Sequence, residues 1–208
     1  MLSGCTTGQP GTPVGVSTTA TRTQDSTPGS ETSQPSAPSA SSTGLPSDGA
    51  PRVENPVDVS RFVNDPCASL SPQRTQELVG TPTGIRTDDA TNVGCEWVNN
   101  SPETFNGSGI WVYFYSKVPD GISAAYRANK RGEWAFFEPV SAIEGMPAVT
   151  YGKRDGRADG MCTAAVGMSD TMAIGVTTQQ SLSKRHRDQA CQVTVMVATD
   201  VVKTLKAG

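Results

Sequence analysis

Met161-Cys162-Thr163-Ala164-Ala165-Val166-Gly167-Met168, then Ser169-Asp170, then Thr171-Met172-Ala173-Ile174-Gly175-Val176-Thr177-Thr178, is the stretch that sets the fold. Cys162, Ala164, Val166 and Met168 fall on one side of an extended chain, and Met172, Ile174 and Val176 do so in the second run. Ser169-Asp170 between them is a hairpin turn pair, so the two runs read as antiparallel strands with one face turned inward. Working outward, Ala148–Tyr151 reads as a further strand, and Cys95-Glu96-Trp97-Val98 as one that begins at the cysteine. Ile110 to Tyr115 carries the strongest strand pattern, with Ile110, Val112 and Phe114 facing one way and Trp111, Tyr113 and Tyr115 the other. A strand apolar on both faces belongs in the middle of a sheet, between covering layers.

Helices punctuate these strands. Ser71 is a good N-cap, Pro72 suits the first turn and Gly80 suits a C-terminal stop, which predicts a short helix over 72–79. Asp120 can cap a second helix at about 121–131, with Ile122, Ala125, Tyr126 and Asn129 on one narrow side that covers the sheet from outside. At the carboxy terminus Val193, Val195 and Val197 alternate like a strand, and β-branched residues are poor helix formers. Against that, Cys191, Val195, Ala198, Val202 and Leu205 recur at helical spacing, Asp188 can cap, and Lys203 and Lys206 suit the last turn, so a helix is expected. The fold class is α+β, an antiparallel sheet of about five strands with helices packed on it.

The chain has 208 residues and a formal charge of −3. Within residues 6–50, Ser, Thr, Gly and Pro supply 31 of 45 positions, and no aromatic residue precedes Phe62. Such a segment cannot bury enough apolar surface to offset its ordering entropy. Residues 6–56 therefore read as a disordered tether, spanning about 40 Å root-mean-square, and 57–208 as a single domain. Residues 57–208 hold fifteen basic and sixteen acidic side chains, which lacks the basic excess that nucleic-acid binding needs. No apolar run reaches membrane-spanning length.

Five cysteines stand at 5, 67, 95, 162 and 191. Leu2-Ser3-Gly4-Cys5 resembles a bacterial lipobox, in which the peptide is cut before the cysteine and its sulfur takes diacylglycerol. A secretory signal has a charged start and an apolar stretch of about 7–15 residues, so the rest of that signal is expected upstream of the present first residue. Residues 1–5 are then its remnant, and Cys5 the membrane anchor. The other four cysteines allow three pairings. The sequence-local one, Cys67 with Cys95 and Cys162 with Cys191, closes two loops of similar size and is the expected one. A four-cysteine zinc site would need pairs two to four residues apart, and here the nearest two are 28 apart. Disulfides imply an oxidising compartment.

Asp65-Pro66-Cys67, a Ser-capped helix closing on Gly80, Gly94-Cys95-Glu96-Trp97, Cys162 in a strand and Asp188-Gln189-Ala190-Cys191 opening the last helix occur in that order. Over about residues 60–207 this resembles the actinobacterial lipoproteins of the domain of unknown function 3558 family. The resemblance implies a cell-envelope lipoprotein with two disulfides and an α+β domain, and it brings no activity with it.

Signals for chemistry are sparse. His186, the single histidine, sits among cations in Lys184-Arg185-His186-Arg187-Asp188, without a nucleophile motif around it. Asp155-Gly156-Arg157-Ala158-Asp159-Gly160 supplies an EF-hand's first, fifth and sixth positions, but Arg157 and Val166 occupy its third and twelfth, so it reads as a charged hairpin tip. Asp88, Asp89, Glu133, Glu138 and Glu144 could supply paired carboxylates for glycoside hydrolysis. Trp111, Tyr113, Tyr115 and the Trp134-Ala135-Phe136-Phe137 run can line a ligand groove for lipid, glycan or peptide, or pack as core. Trp97 beside Cys95 reads as disulfide packing. The expectation is a monomeric, non-catalytic binding or interaction module, without cofactor or metal, lipid-anchored on the extracytoplasmic face of the cell membrane. Its ligand or envelope partner is unspecified. An envelope hydrolase and a purely structural lipoprotein are the alternatives.

Overall fold

The computed structural model describes residues 44–101, 107–185 and 189–208; Cys5, residues 6–43 of the tether, His186 and the expected cap Asp188 lie outside them. In chain order the elements are α1 (Ser60–Asn64), α2 (Pro72–Val79), β1 (Ile85–Asp88), β2 (Val93–Asn99), β3 (Ser108–Phe114), α3 (Ser123–Lys130), β4 (Phe136–Ile143), β5 (Met146–Gly152), β6 (Met161–Gly167), β7 (Ala173–Gln179) and α4 (Ala190–Ala207). The strands form one antiparallel sheet in the order β1-β2-β3-β7-β6-β5-β4. The expected α+β architecture stands, with seven strands in place of about five. The two additional strands, β1 and β4, are the sheet's edges. β1 is mostly exposed and β4 about half so, and β4 carries Pro139, which an edge tolerates because no ladder bond is lost on the open side.

One face of the sheet holds the main core. Cys95, Trp97, Ile110, Val112, Phe114, Ala164, Val166, Ile174 and Val176 are buried there with Phe62, Leu70 and Val79 from the first helical segment. α4 lies over β6 and β7, burying Thr194, Val197, Ala198, Val201, Val202 and Leu205. Helical packing overrides the β-branched preference of this segment, and Thr194 fixes its register. Its hydroxyl meets that of Thr178 on β7 at 2.7 Å and donates to the Cys162 carbonyl at 3.3 Å. The ends of α2 are as the sequence dictates. The Ser71 hydroxyl accepts the Arg74 N–H at 3.2 Å, and Gly80 closes the helix at φ 75°. Both local cysteine pairs are disulfides, Cys67–Cys95 and Cys162–Cys191. The first joins the turn after α1 to β2 and the second joins β6 to α4. Trp97 is buried in the same cluster as Cys95, and Gly84 leaves room between the sulfur and the indole: a Cβ there would overlap both.

α3 roofs the opposite face. It starts at Ser123 without a side-chain cap; Asp120 instead pairs with Arg127 at 2.8 Å. Its inward side is Ile122, Ala125 and Ala128, with Tyr126 half-buried and Asn129 exposed, a rotation from the expected stripe. The domain also begins before residue 57. Val53 is buried, its N–H donates to Asp170, Arg52 pairs with Asp170 at 2.7 Å, and the Ser47 N–H donates to the Ser123 hydroxyl at 2.9 Å. Val53 and Ala50, which packs beneath α3, are two apolar anchors in a mostly polar stretch and too weak a signal for composition to register.

Candidate ligand site

Register places the aromatic side chains of β3 on the same face of the sheet as α3, which packs over Val149 on β5 and Ala165 on β6. One transverse row reads Glu96, Trp111, Thr177, Thr163, Tyr151, Phe137, and the next Gly94, Tyr113, Gly175, Ala165, Val149, Pro139. Small residues in the second row form a trough into which the large rings fold. A Cβ on Gly94 would lie 2.6 Å from the Tyr113 ring, and one on Gly175 would lie 2.6 Å from the Tyr115 hydroxyl. Glycine is required at both positions by the rings that lie over them.

Trp111, Tyr113 and Tyr115 are all half-buried. Tyr113 donates to Glu96 at 3.2 Å, and burial together with that carboxylate pushes its hydroxyl pKa up. Tyr115 turns the other way, over Gly175, and its hydroxyl comes within 3.5 Å of the Tyr151 hydroxyl on β5. Burial raises the pKa of both phenols, so both stay protonated at neutral pH. Trp134 packs on Tyr151 with ring centroids 4.6 Å apart, and its indole N–H donates to the Ala125 carbonyl of α3 at 3.0 Å. Tyr126 meets Phe137 edge-on at 5.0 Å.

Between α3 and the sheet these residues leave a cavity of about 280 Å³, walled by Tyr115, Tyr151, Trp134 and Ile122, with Ala165 and Ala173 lining it from the sheet. No charged side chain lines it. Larger depressions, about 680 Å³ beside Cys191 and Arg157 and about 650 Å³ beside α1, have no aromatic wall, nor has a cleft of about 220 Å³ between α2 and α4. Of the three expected ligand-face residues, Tyr115 lines the aromatic cavity, whereas Trp111 and Tyr113 lie beyond it along β3. Tyr151 and the α3 alanines were not legible as site residues. Tyr151 lies in a short apolar run, and the alanines look like ordinary helix filling.

The other candidates are dispersed. Asp88 pairs with Lys117 and Arg86, Glu133 with Arg131, Glu138 with Arg157, and Glu144 with Lys203. The Asp89 carboxylate accepts the Thr91 and Asn92 backbone N–H groups, which lowers its pKa and closes the β1–β2 turn. The Asp155–Gly160 segment links β5 to β6. There Arg157 bonds Asp155 and Glu138 and sits 4.2 Å over the Phe136 ring, so a cation occupies the middle of the would-be calcium loop. Among the described residues no three His, Cys, Asp or Glu side chains converge as a metal site requires, and no helix is long and apolar enough to cross a membrane.

No curated protein and no solved structure matches this chain. The family model described as Protein of unknown function (DUF3558) matches residues 1–204, a span that takes in Cys5, the Ser/Thr/Pro-rich segment and both disulfides. The chain belongs to that family.

Proposed function

We propose that this protein is a lipid-anchored binding module on the extracytoplasmic face of the cell membrane in an actinobacterial envelope, holding a small apolar ligand between α3 and the sheet. The cavity walled by Tyr115, Tyr151 and Trp134 carries this reading. Ligand sites are concave and mostly apolar, with few polar groups, and this cavity sits at the lower end of their size range. Two disulfides in a domain of ordinary size fit an oxidising compartment. The Cys5 lipobox and the Ser/Thr/Pro-rich tether supply the anchor and the reach. Asp88, Glu133, Glu138 and Glu144 are engaged by cations and Asp89 by backbone N–H groups, which favours recognition over a paired-acid hydrolysis. Titration with indane, an uncharged bicyclic hydrocarbon, tests the site. The Trp134 indole N–H resonance and the Ile122 methyl signals should shift together and saturably. Shifts confined to other surfaces, or none, would remove the ligand reading.

A further inference from the structure

Resting on that reading of the α3 cavity, we infer that its ligand is an uncharged apolar molecule bearing one acceptor oxygen, a carbonyl, held by the Tyr115 and Tyr151 hydroxyls together. The two hydroxyl oxygens are 3.5 Å apart, well beyond the 2.5–3.0 Å of a good O–H···O bond. Among the described residues neither phenol has another hydrogen-bond partner beyond that long contact. Each phenol has one proton to donate, and their mutual contact can use only one of the two. At least one donor in an apolar wall is thus left over and free to meet a ligand's acceptor. An oxygen placed about 2.8 Å from each hydroxyl satisfies both at that separation. An acceptor, and not a second donor, is what the pair lacks.

Charge is selected against in the same place. A carboxylate entering this cavity would lose its hydration and meet no counter-ion. Asp89, close enough to raise the Tyr115 pKa by its charge, repels anions further. Size limits the ligand too. A cavity of about 150 Å³ takes benzene, so about 280 Å³ suits a fused bicycle or a short branched chain.

Calorimetric titration of the full chain with indane, 1-indanone and indane-2-carboxylate separates the possibilities. The expected order is 1-indanone about three- to tenfold tighter than indane, with the carboxylate at least tenfold weaker than indane. Replacing both phenols (Tyr115→Phe with Tyr151→Phe) should bring 1-indanone and indane level, since either hydroxyl alone could still donate. Equal binding of indane and 1-indanone to the unaltered protein, a preference that survives the double replacement, or tightest binding by the carboxylate would overturn the inference while leaving the cavity a ligand site. Failure of all three to bind would overturn both. If the double variant does not melt cooperatively, the three-ligand order on the unaltered chain decides alone.

Discussion

The backbone N–H of Val53 donates to the Oδ1 of Asp170 at 3.0 Å, tying the end of the Ser/Thr/Pro-rich segment to the tip of the β6–β7 hairpin. Gly121, just before α3, packs against the same tip: a Cβ there would sit 2.8 Å from the Asp170 carbonyl carbon. Asp170 therefore holds the incoming chain beside the segment that leads into the roof of the cavity.

Asp170→Ala should cost about 1–2 kcal/mol, because the N–H of buried Val53 is left without an acceptor. Asp170→Asn keeps an acceptor and loses the pairing with Arg52, whose side chain is 52% exposed, so its cost should stay within about 0.5 kcal/mol. Denaturant melts of the two variants check this. Equal losses would mean that charge, and not the hydrogen bond, holds the segment.

Non-reducing peptide mapping should link Cys67 to Cys95 and Cys162 to Cys191. Replacing either pair with serine should lower stability by about 3–4 kcal/mol through loop entropy in the unfolded chain. Any crossed peptide contradicts the pairing, and a loss below about 1 kcal/mol contradicts its stabilising role.

Much of the fold was legible because the signals are local. The alternation in β3 and in the β6–β7 hairpin survives in the sequence because each strand keeps one face against the main core. The edges were not legible: β1 reads Ile-Arg-Thr-Asp and stays exposed, with Ile85 at 70%, so no alternation marks it. In β4, Glu138 and Pro139 interrupt any apolar pattern. The site was half legible. Aromatic density pointed to Tyr115, but its partner Tyr151 lies 36 positions away, and only strand order brings the two together. Ala125 shows in the sequence as part of a weak helical face and Ala128 does not, and the smallness of both, which makes the cavity, carries no pattern.

Trp111 tests how far the open face is structural. It is half-buried, with its ring folded over Gly109, so Trp111→Ala should cost about 1–2 kcal/mol in a denaturant melt, between a surface and a core substitution. A loss above about 3 kcal/mol would place it in the core. A loss near zero would mean that the ring makes no stabilising contact.

Cys5 tests the anchor. Expressed behind a complete lipoprotein signal, the unaltered chain should fractionate with membranes, and Cys5→Ser should move it to the soluble fraction, since two acyl chains supply the strong membrane affinity. A Cys5→Ser protein that stays bound through detergent-free washes contradicts the lipid anchor.

The most direct measurement of the ligand site is the affinity of the unaltered chain for indane beside that of Ala128→Leu, a substitution that fills the cavity from α3. Ala128 is 5% exposed and points to the sheet side of the helix, so added methyl groups occupy the space that a ligand would take. The expected result is saturable binding by the unaltered chain and at least a tenfold loss in Ala128→Leu, with the cooperative melt retained. Undiminished binding by a folded Ala128→Leu protein would contradict the placement of the site beneath α3.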